Sequence, residues 1–169
     1  MLFKKTLLAS ALLALGGFAV SASGANNPAS TSFQVKLKIN KACSVTTSGA
    51  LDLGTVDANS AGDVTQNASN IDVKCSKTTA YKIGLTPSST NTDGTGLMAG
   101  TGSNADKIAY ALYQDNANTV WGNVAGTNTK NDTGDGTTQN FTVYGKVLSS
   151  SLNVAPDTYS DTVSVDVTY

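Results

Sequence analysis

Histidine is absent from the 169 residues of this chain. Its absence excludes a Ser-His-Asp triad, a Cys-His dyad and any metal site built on imidazole ligands. Carboxylate pairs of the kind that glycosidases use remain available, notably Asp132 and Asp135. Their surroundings are rich in Gly and Thr, which is typical of turns, and lack the terminal glutamate of a calcium-binding loop. We therefore expect no enzymatic activity, no bound cofactor and no metal site.

Charged side chains are also scarce. Only 14% of the residues are Asp, Glu, Lys or Arg, against about a quarter in an average domain, and the formal net charge is −1. The sequence contains no basic stripe of the kind that binds phosphate backbones. Neither nucleic acid nor a small-molecule substrate is expected as a partner.

The one long apolar run lies at the N-terminus. Lys4 and Lys5 precede the uncharged stretch Thr6–Val20, and small residues follow it. A membrane anchor is the alternative, but this run is shorter than the roughly 20 apolar residues of a spanning helix. We expect residues 1–24 to be a signal peptide cleaved near 22–25, which leaves a mature chain of one domain, about 145 residues long.

The chain has only two cysteines, Cys43 and Cys75. Export to an oxidising compartment favours a disulfide between them. A metal site is the alternative, but two thiols without histidine cannot complete a four-ligand set unless carboxylates join them. We predict the disulfide, and a loop of about 30 residues closed in this way is stabilised by roughly 3–4 kcal/mol on the chain-entropy model.

Apolar and polar residues alternate strictly in Ser32–Ile39. Phe33, Val35, Leu37 and Ile39 are the apolar set. This period of two predicts a strand with one apolar face, whereas the same residues would scatter around a helix. The pattern fits two interpretations equally: an ordinary first strand of the chain's own sheet, or a strand that is donated to a neighbouring molecule.

Short β-favouring segments separated by turn clusters make up the rest of the chain. The predicted strand segments are Cys43–Thr47, Leu51–Val56, Asn70–Lys77, Tyr81–Thr86, Lys107–Gln114, Thr119–Trp121, Phe141–Val147 and Tyr159–Tyr169. Two long polar loops, residues 88–104 and 123–138, are unusual in a compact domain and leave room for short pairings that the sequence does not reveal. Many short strands with one disulfide predict an all-β, antiparallel β-sandwich.

Aromatic side chains raise the question of sugar binding. Trp121, the one tryptophan, could serve as a stacking platform, but it directly follows apolar strand residues, which favours a place in the core. The same choice applies to Tyr110, Tyr113 and Tyr144, for which packing is again the favoured interpretation.

Six motifs follow one another in a specific order: the alternating strand leading to Cys43-Ser44-Val45, Leu51-x-Leu53-Gly54, Asp72–Cys75, Ile108-x-Tyr110-x-Leu112-Tyr113 with Asp115, Trp121-Gly122, and Tyr159-x-Asp161-Thr162-Val163-x-Val165-x-Val167-x-Tyr169. Taken together, these motifs resemble the spore coat protein U domain family, which includes the subunits of archaic, Csu-type chaperone–usher pili. The resemblance covers essentially the whole mature chain.

The resemblance implies an incomplete immunoglobulin-like sandwich, residues 40–169, completed by a strand from a neighbouring subunit. Residues 25–39 would be the donated extension, with Phe33, Val35, Leu37 and Ile39 as its contacts, although Ile39 could instead belong to the subunit's own first strand. Main-chain pairing with alternate side chains in pockets is the physical basis of such strand addition. Val163, Val165, Val167 and Tyr169 would form the strand that edges the groove and meets a chaperone.

The implied function is that of a structural pilus subunit, exported through the periplasm to the cell surface. Its implied partners are identical or related pilin subunits, a periplasmic chaperone and an outer-membrane usher, and the fibre would support attachment and biofilm formation. Two alternatives stay open: a non-polymerising secreted coat or matrix protein, and a small adhesive carbohydrate-binding module.

Overall fold

The computed structural model describes residues 29–116 and 118–169, without the side chains of residues 67–70. The predicted signal peptide, residues 1–24, lies outside the described residues. The chain divides into two units, Met1–Leu37 and Lys38–Tyr169. In the first unit, residues 29–37 belong to no strand. The second unit contains every strand described below.

Within the described part of the chain, eight strands form two antiparallel sheets. The strands are β1 (Cys43–Ser48), β2 (Val64–Cys75), β3 (Ala80–Pro87), β4 (Thr95–Ala99), β5 (Lys107–Tyr113), β6 (Lys130–Thr133), β7 (Thr138–Val147) and β8 (Val163–Thr168). One sheet has the order β1-β2-β7-β5-β4 and the other the order β6-β3-β8. A single 3₁₀ turn, Ser149–Ser151, is the one helical element of the described residues. The predicted all-β antiparallel sandwich is confirmed.

Period-two alternation explains how the two sheets meet. In β3, Tyr81, Ile83 and Leu85 are buried while Lys82 between them is exposed. The inward faces of β2, β5 and β7 supply the other half of one shared hydrophobic core. Apolar residues on one face of each strand therefore bury against those of the opposite sheet.

Trp121 lies at the centre of this core. Its side chain has an exposed fraction of 0%. Its indole Nε1 donates a hydrogen bond to the carbonyl oxygen of Ile83 on β3, and its backbone N–H donates to the carbonyl of Leu112 on β5. One residue thus links the two sheets, and the prediction that it packs in the core is confirmed.

The predicted disulfide is present between Cys43 and Cys75. These residues are direct partners in the register of β1 with β2, with 4.1 Å between their Cα atoms. The bond therefore ties the edge strand of the larger sheet to its neighbour.

Several predicted strand boundaries were wrong. Residues 51–56 form no strand, although they alternate, and β2 begins at Val64, well before the predicted start at Asn70. Each long polar loop contains a short strand, β4 or β6. Thr119–Trp121 forms only one bridge, Tyr113 with Val120. Strands β4 and β6 lie at sheet edges, where pairing on one side does not require an alternating apolar face.

Within residues 29–116 and 118–169, no helix is long and apolar enough to cross a membrane. The same residues contain no cluster of three or more Cys, Asp or Glu side chains positioned to hold a metal ion.

Candidate functional site: an apolar groove beside an edge strand

Strand β8 is the last strand of the chain and an edge of the three-stranded sheet. It pairs with β3 along one side, from Lys82 opposite Thr168 to Pro87 opposite Val163. Among the described strands it has no partner on its other side. The backbone groups along that free side are available to another strand.

The side chains of β8 divide into two faces. Val163, Val165 and Val167 are half-buried and pack against the core, whereas Ser164, Asp166 and Thr168 are exposed. Tyr169 follows the strand and is 54% exposed. Three of the four residues predicted to edge a groove therefore face inward, and Tyr169 does not share their burial.

An apolar groove of about 730 Å³ opens beside β8, between the two sheets. Its lining draws on both sheets: Ile71, Leu112 and Val143 from the larger sheet, and Leu85, Val163 and Val165 from the smaller one. An open apolar groove of this size, lined by core residues, is typical of an interaction surface. Val167 is not part of the lining, so the groove borders the first half of β8.

Residues 49–58 form the opposite wall of the groove. Leu51 and Leu53 are half-buried there and pack against the core. They lie directly over Gly145 of β7, where an added Cβ would come within 2.6 Å of the Leu51 Cδ2 atom. The alternation of these leucines predicts a strand, whereas in the structure it places two apolar side chains on the groove wall.

Polar contacts hold the chain that leads into β8. Asp161 accepts a hydrogen bond from the Tyr110 hydroxyl at 2.7 Å and another from Ser88. Burial, reinforced by this bond to Asp161, raises the pKa of Tyr110. Because Tyr110 is on β5 and Asp161 precedes β8, this contact joins the two sheets at the mouth of the groove.

A second carboxylate, Asp157, fastens the same connection further upstream. It accepts hydrogen bonds from the Thr101 backbone N–H and hydroxyl and from the Asn104 amide. These donors, with the Thr158 N–H, lower the pKa of Asp157. The sequence does not identify either carboxylate as a positioning residue, because the pattern around an aspartate in a turn-rich segment does not predict its hydrogen-bond donors.

The side chains of the predicted donor residues are exposed. Phe33, Val35, Leu37 and Ile39 are 81–87% exposed and lie in no strand. Strand β1 begins at Cys43, so Ile39 is not part of it. Four large apolar side chains exposed at alternate positions are unusual for a soluble domain and indicate a surface used for interaction.

The aromatic residues considered for sugar stacking do not form a platform. Trp121 is fully buried, Tyr110 is buried, and Tyr113 and Tyr144 are half-buried. The feature that suggested a carbohydrate-binding module is therefore used in packing.

A family model described as the Spore Coat Protein U domain matches residues 29–166. The chain belongs to this family. The match covers the alternating N-terminal segment as well as the sandwich, so the predicted resemblance is confirmed. A search of curated proteins finds no match.

Among solved structures, the chain is similar to one from Acinetobacter baumannii. That structure is a CsuC–CsuE chaperone–tip adhesion subunit pre-assembly complex from archaic chaperone–usher Csu pili. The match has a TM-score of 0.51 and 19% sequence identity, and covers 78% of this chain and 40% of the other. The Spore Coat Protein U chain thus spans less than half of its structural neighbour, and the two share a fold.

Proposed function

We propose that this protein is a structural subunit of an extracellular fibre, in which residues 25–39 of one copy fill the groove beside β8 of the next copy. One observation carries the proposal: the same chain holds an open apolar groove at a free strand edge and an exposed segment with a period-two apolar face. Strand addition joins these two features, because it satisfies the free backbone edge and buries alternate side chains together.

The dimensions of the two partners agree. From Phe33 to Ile39 an extended segment covers about 20 Å, and Val163–Tyr169 covers the same length. Burying the four apolar side chains of the segment would contribute about 6–12 kcal/mol as an upper bound. Ordering seven residues costs a similar amount, about 1–2 kcal/mol per residue for the backbone, so main-chain hydrogen bonds along the free edge of β8 have to contribute as well.

The symmetry of the contact favours a filament. The donating segment and the receiving groove are different surfaces, so the interface is head to tail and leaves one of each free at the ends. We propose that this filament is a fibre on the cell surface that supports attachment and biofilm formation.

Assembly of this kind requires protection of the groove before the next copy arrives. We therefore include a periplasmic chaperone and an outer-membrane usher as partners, and export through the periplasm as the route. The structural neighbour is itself a complex of a chaperone with a pilus subunit, which supports a chaperone as a partner of this protein. An exposed groove without a chaperone would be an aggregation site, since its walls are the core.

The test places one carboxylate on either face of the segment in the full-length protein, expressed in its native cells. Leu37→Asp puts a charge into the groove and should abolish fibres, because an unpaired carboxylate in an apolar site costs several kcal/mol. Gln34→Asp changes the polar face and should leave the fibres intact. Electron microscopy of the cells and immunoblots for detergent-resistant ladders measure the result.

Two outcomes would contradict the proposal. Fibres formed by Leu37→Asp would remove the donor role of the segment. Equal loss of fibres in both variants, with normal recovery of disulfide-bonded subunit from the periplasm, would show that the two faces of the segment do not differ in the way the proposal requires. A non-polymerising coat protein would show no ladder in the unmodified protein either.

A further inference from the structure

We infer that Lys36 of one copy lies opposite Asp166 of the next, and that this ion pair marks the register of the added strand. The inference rests on the proposed function, since it concerns the same groove. It goes further because it names the residues that decide how far the segment slides along β8.

The two faces of the partners restrict the possible registers. An added strand that points Phe33–Ile39 toward the groove turns its polar residues to the outer side of the sheet. The outer residues of β8 are Ser164, Asp166 and Thr168. A slip by one residue would expose the whole apolar set, so only slips by two residues compete.

The position of the two charges then selects one of these registers. Lys36 is the midpoint of the apolar set Phe33, Val35, Leu37 and Ile39, and Asp166 is the midpoint of the set Val163, Val165, Val167 and Tyr169. Aligning the four apolar residues of each set therefore places Lys36 opposite Asp166. Because both residues are midpoints, this holds whether the added strand runs parallel or antiparallel to β8.

Each neighbouring register is poorer. A slip by two residues removes one of the four apolar pairs. In one direction it brings neutral Gln34 opposite Asp166, and in the other it brings Lys38. The apolar pairs thus disfavour both slips, while the charge pair adds a penalty to the slip that places Gln34 there.

Asp166 is suited to this contact within its own subunit. It is exposed and is the one acidic residue of β8. Asn123 Nδ2 donates to its Oδ2 at 3.1 Å. Within the described residues the one salt bridge joins Lys146 and Asp63, so none of the described lysines pairs with Asp166. Exposed cross-strand ion pairs contribute little affinity, and their effect is chiefly on specificity and register.

The test is a charge-reversal cycle on fibres of the full-length protein, with lifetime in guanidinium chloride as the readout. K36D and D166K should each shorten the fibre half-life about two- to fivefold. The double variant K36D/D166K should restore it, because the pair is rebuilt with its signs exchanged. The restoration should weaken in high salt, which screens an exposed pair.

Lys38 supplies the matched control, since it has the same charge on the same face two residues away. K38D/D166K should gain no restoration over K38D and D166K taken separately. Restoration by the Lys38 pair instead, or by neither pair, would overturn the register. If L37D prevents fibres but neither double variant restores the fibre half-life, only the proposed register is wrong. If L37D still forms fibres, the proposed function is wrong as well.

Discussion

The Tyr110 hydroxyl donates a hydrogen bond to the Asp161 carboxylate at 2.7 Å, across the mouth of the groove. Tyr110 belongs to β5 of the larger sheet, and Asp161 precedes β8 of the smaller one. The contact therefore ties the chain that enters β8 to the opposite sheet, beside the groove that a docked strand would occupy.

Removing this hydroxyl should loosen the start of β8. We expect Tyr110→Phe to lower the free energy of unfolding by about 1.5–3 kcal/mol, the usual range for a hydrogen bond to a charged group. Urea denaturation followed by circular dichroism measures it. Tyr144→Phe is the control, because its hydroxyl forms no hydrogen bond within the described residues. Equal stability of the two variants would contradict a structural role for the contact.

Trp121→Phe should weaken the connection between the sheets. The change removes the Nε1 donor to the Ile83 carbonyl and leaves space in a fully buried site. We expect a loss of about 1–3 kcal/mol from the unpaired carbonyl, with a further cavity cost. A denaturation midpoint unchanged from the parent protein would show that the indole bond carries no net stability.

Acid should destabilise the connection before β8. Hydrogen bonds hold the pKa of Asp157 well below its usual range, so the unfolded chain takes up this proton first as pH falls. The stability that Asp157 contributes is thus present above about pH 4 and is lost as pH falls below it. Asp157→Asn should give a flatter dependence of unfolding free energy on pH between about 4 and 2. If the unfolding free energy of both proteins changed with pH in the same way, Asp157 would not be a source of the acid sensitivity.

High pH should destabilise the folded protein through ionisation of Tyr81. Burial, together with Asp132 and Asp135, raises the pKa of Tyr81 to about 12. The unfolded chain loses this proton near pH 10, so the folded state binds more protons between about pH 10 and 12, and stability falls as pH rises through that window. Tyr81→Phe should reduce that fall, although Tyr110 contributes in the same direction. Thermal denaturation at pH 9 and pH 11 tests it, and an identical pH-dependent change in both proteins would count against it.

The groove edge can be tested at two adjacent positions. Val165 lines the groove and Ser164 beside it is exposed. We expect Val165→Asp to lose its complex with the chaperone and to be degraded, because the charge has no partner in the apolar lining. Ser164→Asp should accumulate normally. Pull-down of the periplasmic complex measures both, and normal levels of Val165→Asp would argue against the groove as the chaperone's site.

Local pattern determined much of this protein. Alternation in Tyr81–Leu85, Ile108–Leu112 and Val163–Val167 marks strands because one face of each is buried. The two cysteines allow only one disulfide within the chain. The position of Trp121 directly after apolar residues predicts its burial in the core. Phe33–Ile39 has the same alternating pattern. The pattern shows that one face of this segment is apolar, but it does not show what covers that face.

Tertiary structure decided the rest. The same alternation in Leu51 and Leu53 yields a groove wall rather than a strand, since only packing over Gly145 says where those side chains go. Strands β4 and β6 arise in polar loops because a neighbouring strand pairs with their backbone. The free side of β8 and the groove beside it depend on which strands are neighbours, and that order is set by contacts far apart in the chain.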